Sequence, residues 1–301
     1  MRILVTGATG FIGQHLVPLL AQMPDTAVSI LALEQFSHAD LAPLPPALAA
    51  IREQFHIVYA DLRNFRLTVR ALAETEPDHV IHLAAIGVTD PFMSIDTALR
   101  HNLNGTINLI RACFEKNHTT KQLIVARSSG EPSNLNVYAA SKAAAWNFCR
   151  MFARTQGWTI HGAMIFQAYG PGQSPSNLIP AAMQAAIAGQ DFPMTAGTQR
   201  RDWIFVDDVA AGIAAVLNKP IPTGETVELG TGTATSVADV VRTIYDIVDG
   251  PGQPRIGALP SRPGEVQEQI ADAAHTFALT GWQTAVSLHN GLTQLLHSLM
   301  A

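Results

Sequence analysis

The chain is expected to be an α/β protein, a Rossmann-type doubly wound parallel sheet with a smaller C-terminal region. Three observations predict this. A glycine string, Thr6-Gly7-Ala8-Thr9-Gly10-Phe11-Ile12-Gly13, follows a short apolar run at the very start. Short apolar runs then alternate with helical patterns as far as about residue 166, the rhythm of right-handed β-α-β crossovers. The rhythm breaks after Gly170-Pro171-Gly172, where turn-rich segments and isolated helices take over.

Residues 2–6 form the first apolar run, and 13–22 carry Leu16, Leu19 and Leu20 at helical spacing, so the glycine string joins a strand to a helix. A second strand is predicted over 28–33, then a connection through Pro43, Pro45 and Pro46, then a third strand over 55–60. Apolar runs at 80–85, 122–126 and 159–166 continue the series, with helices over 96–115 and 137–155 between them. Beyond the break, helices are predicted over 178–188 and 237–248, an insertion with a return to the sheet over 202–217, and an amphipathic tail over 287–299. The division expected is a dinucleotide-binding domain over 1–168 with a returning segment at about 202–230, and a substrate-binding region over 169–201 and 231–301.

Composition narrows the function. The net charge is −5 and no run of Lys or Arg occurs, so the chain lacks the footprint of a nucleic-acid or anionic-membrane binder. No stretch approaches the ~18 apolar residues of a membrane span, and glycines interrupt the N-terminal apolar stretch where a signal peptide would need continuity. The two cysteines, Cys113 and Cys149, have no metal-ligand spacing and read as buried apolar side chains in a reducing cytoplasm. His79 and His82 are three apart in a predicted strand, where the side chains face opposite ways, so no metal site is assigned.

Gly7, Gly10 and Gly13 permit a tight turn, a close approach of backbone to pyrophosphate and close packing of helix on strand; the helix N-terminus adds oriented N–H groups. The spacing is G-x-x-G-x-x-G, and its place after a first strand gives it meaning. Glu34, at the end of the second predicted strand and 21 positions after Gly13, suits the ribose hydroxyls of NAD and would repel a 2′-phosphate. Gln35, Phe36, Ser37 and His38 supply no permanent cation to receive that phosphate. Asp61-Leu62 ends the third strand, either bordering the adenine or capping the next helix.

Tyr138 and Lys142 are four apart, on one face of a helix. A phenol ionises near pH ~10, so acting as a base near neutrality requires a lowering by about 3 units, and a close ammonium together with the positive nicotinamide is help of the right sign. Ser128 or Ser129, ending the strand before, would bond the reacting oxygen. The arrangement implies proton transfer to and from a hydroxyl beside a nicotinamide.

With these motifs the chain resembles the extended short-chain dehydrogenase/reductases of the NAD-dependent epimerase/dehydratase family, which mostly act on nucleotide sugars. Leu83-Ala84-Ala85 is similar to that family's strand end beside the cofactor, and Asn102-Leu-Asn-Gly-Thr106 to its asparagine-bearing helix. Tyr169-Gly-Pro-Gly172, Ser176-Asn-Leu-Ile-Pro180, the segment from Arg201 to Asp208 and Arg262-Pro-Gly-Glu265 resemble its substrate-side signatures. The resemblance implies that Phe11 and Ile12 line the dinucleotide, that Asn177, Arg201 and Arg262 grip the diphosphate or sugar, that Ser129 and Gln167 touch substrate, and that the chain forms a homodimer through the 96–115 and 137–155 helices. Guanidinium forks suit phosphate oxygens on physical grounds too.

Three departures stand out. Only ten positions separate Ser128 from Tyr138, Arg127 stands where a small residue is usual, and Gln167 stands where Asn is usual. Dehydratases of the family commonly carry Asp-Glu next to the serine, whereas this chain reads Ser128-Ser129-Gly130-Glu131. The expectation is therefore an NAD-dependent epimerase working at sugar C4 through a transient keto-sugar. The alternatives are a nucleotide-sugar dehydrogenase or 4-ketosugar reductase using the same residues, and a non-catalytic dinucleotide-sensing regulator.

Overall fold

The computed structural model describes residues 1–33, 44–88, 90, 92–117, 119–261 and 264–300. In chain order the first half is β1 Arg2–Thr6, α1 Gly13–Ala21, β2 Ala27–Ala32, α2 Pro46–Ala49, β3 Phe55–Tyr59, α3 Phe65–Thr75 and β4 His79–His82. It continues with α4 Ile95–Ala98, α5 Gly105–Arg111, β5 Gln122–Ser128, α6 Val137–Gln156 and β6 Ile160–Ile165. The second half is β7 Gln167–Tyr169, α7 Leu178–Ile187, β8 Phe192–Met194, β9 Arg200–Phe205, α8 Val206–Ala215, β10 Thr226–Leu229, β11 Ala234–Ser236, α9 Val237–Val248, β12 Pro254–Ile256, β13 Glu268–Gln269, α10 Ala273–Thr280 and α11 Leu288–Met300.

Two compact units result. The first comprises Met1–Met164, Ala210–Val227 and Leu279–Gly281. Its sheet, seven-stranded and parallel, runs β10-β6-β5-β4-β1-β2-β3, which is the Rossmann-like architecture. The order reverses between β1 and β4, so the loops after those two strands flank a topological switch point, where such sheets bind ligands. Leu4, Leu31, Val58, Val80, Leu109 and Leu123 are buried in its core, as strands covered on both faces require.

The second unit comprises Ile165–Val209, Glu228–Ala278 and Trp282–Ala301. In it β11, β9 and β13 form a small sheet that β7 joins by pairing with β9, and β12 pairs with β8. Tyr169, Met183, Trp203, Val241, Ile244 and Leu292 form its core. Two buried carboxylates fasten its loops. Asp202 accepts the backbone N–H groups of Thr231 (2.7 Å), Gly232 (2.8 Å) and Ala271 (3.2 Å), and Asp208 accepts those of Ala285 and Val286.

The 96–115 segment is helical as expected, but two of its stretches, Leu99–Asn104 and Ala112–Lys116, are π-helical. The predicted 202–217 segment is in fact the end of β9 followed without a break by α8. Among the described residues no helix is long and apolar enough to cross a membrane.

A buried polar cluster crosses the N-terminal ends of β4, β5 and β6. His79 Nδ1–H donates to Gln122 Oε1 (2.9 Å), Gln122 Nε2 donates to His161 Nδ1 (3.0 Å) and to the Val216 carbonyl (3.1 Å), and His161 Nε2–H donates to the Ile221 carbonyl (3.0 Å). His161 fits this pattern only as a neutral ring, because a second proton on it would face the Gln122 amide hydrogens. Burial lowers the pKa of His79 and His161, and that of His82 to about 3. In the unfolded chain these groups titrate near 6.5. Stability is therefore full above about pH 6.5 and falls as the pH drops below it, by about 2 kcal/mol for a fully shielded histidine at pH ~5. Denaturant unfolding across that window measures the loss, and an unchanging midpoint would refute it.

Candidate active site

The three glycines of the first loop do different things. Gly7 adopts a left-handed φ of 71°. A Cβ there would meet the Ala84 nitrogen at 2.5 Å and the Leu83 carbonyl carbon at 2.7 Å, so the loop backs directly onto Leu83-Ala84-Ala85 beyond β4. A Cβ at Gly13 would overlap the Ala8 backbone, so Gly13 sets how closely α1 packs. A Cβ at Gly10 would meet only the Gly7 oxygen, at 3.2 Å, and Gly10 is exposed. Its backbone is thus open to a ligand.

Gly10 N–H donates to the Gly7 carbonyl (3.0 Å) and Gln14 N–H to the Gly10 carbonyl (3.1 Å). Phe11 and Ile12 lead into α1, whose N-cap Ile12 gives no side-chain cap and whose first turn holds no acidic residue. His15 and Leu16 N–H donate to the Ile12 carbonyl (3.1 and 3.0 Å), and the positive end of the helix dipole suits an anion. Leu62 is half-buried against the core, whereas both oxygens of Asp61 are gripped by Arg63 Nε (3.0 and 2.8 Å), which holds its carboxyl below the usual range. Glu34 lies outside the described residues.

Behind the loop runs a continuous buried chain of hydrogen bonds. Ala84 N–H donates to Thr6 Oγ1 (3.4 Å), and Thr6 Oγ1 donates to His82 Nδ1 (2.7 Å). Thr106 Oγ1 gives its hydrogen to the Asn102 carbonyl (2.7 Å), so it accepts from His82 Nε2–H (2.9 Å), which fixes the tautomer. The Asn102 carboxamide accepts Ile86 N–H (2.9 Å) and donates to the Ile86 carbonyl (3.0 Å) and to Ser141 Oγ (3.0 Å). Ser141 Oγ donates in turn to the Tyr138 carbonyl (2.8 Å).

Tyr138 and Lys142 lie in the first two turns of α6, a helix capped by Asn136, whose side chain accepts Ala139 N–H (2.8 Å). Lys142 is buried, and its Nζ donates to the Ala126 carbonyl of β5 (2.7 Å). Burial lowers its pKa. The phenol's own surroundings act in the opposite direction. Burial, and secondarily the Glu131 carboxylate, push Tyr138 up to about 12, and the Lys142 ammonium is not among the influences on it. Ser128 is the last residue of β5, and its Oγ accepts Gly130 N–H (3.2 Å); Ser129 is half-buried in the turn that follows.

Of the residues expected on the substrate side, Gln167 opens β7 and is exposed. Asn177 stands at the N-cap of α7 without using its side chain as a cap. Arg201 is largely buried, with a long contact to Glu265 (3.4 Å) and NH1 donating to the Arg200 carbonyl (2.9 Å). Burial lowers its pKa. Arg262 lies outside the described residues.

A family model described as the NAD dependent epimerase/dehydratase family matches residues 3–230. This chain belongs to that family. A dTDP-glucose 4,6-dehydratase of Neisseria gonorrhoeae is 30% identical over 97% of this chain and 93% of its own length. An uncharacterized UDP-glucose epimerase of Bacillus subtilis, YtcB, is 29% identical over 97% of this chain and 96% of its own. The structure of a UDP-glucuronic acid 4-epimerase of Bacillus cereus with UDP-glucuronic acid and NAD is similar in fold, with a TM-score of 0.86 and 23% identity, covering 100% of this chain and 99% of that one. NAD is the family's cofactor, and the open backbone at Gly10 with the uncapped start of α1 fits its pyrophosphate.

The parts played by His82 and Ser141 escape a sequence reading, because Thr6, Thr106 and Asn102, which they bond, lie 24 to 76 residues away. For Gly7→Ala, the unfavourable left-handed φ and the collision with Ala84 are together expected to lower stability by about 2–4 kcal/mol and to weaken NAD binding at least tenfold. Thermal melts and NAD titration by intrinsic fluorescence check this.

Proposed function

We propose that this chain is an NAD-dependent nucleotide-sugar epimerase, acting at C4 through a transient keto-sugar. What carries the choice within the family is the state of Glu131. Dehydration needs a carboxyl group beside the serine that is free to exchange protons with the sugar. Here the one carboxylate of Ser128-Ser129-Gly130-Glu131 is buried, with Oε2 accepting from Arg127 Nε (2.9 Å) and NH2 (2.7 Å) and Oε1 accepting from Ser128 N–H (2.9 Å). Both oxygens are occupied, which leaves Tyr138 as the proton-transfer group.

Bound NAD supplies reversible two-electron oxidation of an alcohol carbon and a positively charged ring. In this reading Tyr138 Oη takes the C4 hydroxyl proton as that carbon is oxidised and returns it to the keto oxygen after the sugar has turned over. Because its own surroundings hold the phenol protonated, Tyr138 is prepared as the acid, and its action as a base depends on positive charge arriving beside it. Lys142 holds the nicotinamide ribose, and Ser128 or Ser129 bonds the reacting oxygen. Gly7, Gly10, Phe11, Ile12 and Gly13 floor the pyrophosphate, Glu34 takes the ribose, and Asp61, Leu62, Leu83, Ala84, Ala85 and Asn102 border the dinucleotide.

The 169–201 and 231–301 segments take the nucleotide sugar, with Asn177, Arg201 and Arg262 on the diphosphate and Gln167 beside the sugar. A desolvated guanidinium with a single long carboxylate contact, as Arg201 has, suits phosphate oxygens. A homodimer through the helices at 95–116 and 137–156 belongs to the same reading. Leu99, Phe148 and Met151 expose apolar side chains there. The cytoplasm is its place of work.

The test is a panel of UDP-, dTDP-, GDP- and CDP-sugars without added NAD. Interconversion of two C4 isomers with no net NADH is expected; a 4-keto-6-deoxy product or stoichiometric NADH would replace this reading with dehydratase or dehydrogenase. Tyr138→Phe is expected to lower kcat by about 10²- to 10⁴-fold with NAD affinity nearly unchanged.

A further inference from the structure

Arg127 stands near the end of β5 in an otherwise apolar strand, and its surroundings are built for it. Its guanidinium holds Glu131 Oε2 with two N–H groups (2.9 and 2.7 Å), donates from NH1 to Thr226 Oγ1 (3.0 Å) and lies 4.6 Å from the centre of the Trp146 ring of α6. On neighbouring β6 the slot is kept open by Gly162. A Cβ there would meet Thr226 Oγ1 at 2.7 Å, Arg127 Cδ at 2.8 Å and Trp146 Cη2 at 3.0 Å. The pair is almost sealed, with the Arg127 side chain 13% exposed and that of Glu131 1% exposed.

We propose that Arg127 and Glu131 are a positioning pair for the proton-transfer site: the guanidinium locks the Glu131 carboxylate, which fixes the Ser128 end of β5 and sets the charge against which Tyr138 works. The inference rests on the assignment of Tyr138 as the proton-transfer group. Only ten positions separate Ser128 from Tyr138. Within them Glu131 accepts Ser128 N–H (2.9 Å), so the carboxylate acts as an internal strut for a short segment. The turn that carries Glu131 packs against α6, the helix of Tyr138 and Lys142, and its carboxylate is, after burial, the next influence raising the pKa of Tyr138. Facing it are Arg127 of β5 and, through Lys142, His82 of β4. Glu131 opposes ionisation of the phenol and supports the charge of the amine. The locked carboxylate therefore favours Tyr138 as proton donor.

The test reads the phenol directly and needs no substrate. Tyrosine labelled at Cζ with 13C reports each phenol by NMR, and Tyr138→Phe assigns the Tyr138 signal among the four tyrosines. Glu131→Gln keeps an acceptor for Ser128 N–H and removes the charge, so Tyr138 is expected to titrate about 1 pH unit lower. Because this variant leaves a buried guanidinium unpaired, Arg127→Met/Glu131→Gln is measured beside it as a neutral replacement of similar shape. The shift is expected to persist in the double variant, since the carboxylate is absent from both. An unmoved Tyr138 titration in a folded double variant overturns the proposal, and so does a shift that vanishes there, which would belong to the orphaned guanidinium. A moved titration in a chain that interconverts no sugar isomers sinks the epimerase reading and leaves the pair standing.

Discussion

The architecture of the first unit depends on one run of buried hydrogen bonds, from Ala84 through Thr6, His82, Thr106, Asn102 and Ser141 to the Tyr138 carbonyl. It stitches the end of β1, the end of β4, the helical segment carrying Asn102 and the first turn of α6 into one piece. Each hydroxyl in it both gives and receives, so the direction of every bond follows from its neighbours. His82 can join only in one neutral tautomer, which its burial enforces. Removing any member would leave a buried polar atom without a partner, at about 1–3 kcal/mol. The end of β1, the end of β4 and the first turn of α6 are therefore held in fixed register by this buried run.

The π-helical turns explain how Asn102 serves this run. Within Leu99–Asn104 the wider winding carries its carboxamide to the Ile86 backbone while its own carbonyl receives Thr106. Such insertions recur at functional positions because they redirect a side chain without ending the helix. The second unit solves a similar problem with charge. Asp202 and Asp208 are buried carboxylates surrounded by backbone donors, and the loops at 231–232, 271 and 285–286 are shaped around them. A carboxylate with several N–H partners can be buried stably, which is how an acidic residue comes to sit inside an apolar strand.

Those same features mark what one sequence conveys and what it hides. Strands of the parallel sheet and the helices Val137–Gln156 and Val237–Val248 are legible because local patterning and tertiary need agree. The glycine loop is legible because its residues are chosen for backbone reasons that sequence order alone expresses. At 202–217 the reading is poorer, since β9 passes into α8 with no Gly, Pro or cap between Phe205 and Val206 and both elements are apolar. The π turns leave no compositional trace. The phenol's environment is only half legible for a related reason: Lys142 is the neighbour that sequence spacing advertises, whereas burial and Glu131, which raise its pKa, come from the packing of β5 and the turn after it on α6.

Arg127 makes the limit concrete. Alone in an apolar run it reads as an anomaly, since burying a guanidinium costs several kcal/mol unless the charge is matched. The match comes from Glu131 in a turn, Thr226 ninety-nine positions along the chain and the face of Trp146, with room made by a glycine on the next strand. No periodicity links these positions, so only the folded chain reveals that the charge is balanced. The pair is held in place by its matched charges and is almost sealed. The proton transfer proposed for this chain then falls to Tyr138, whose hydroxyl burial holds toward its protonated form.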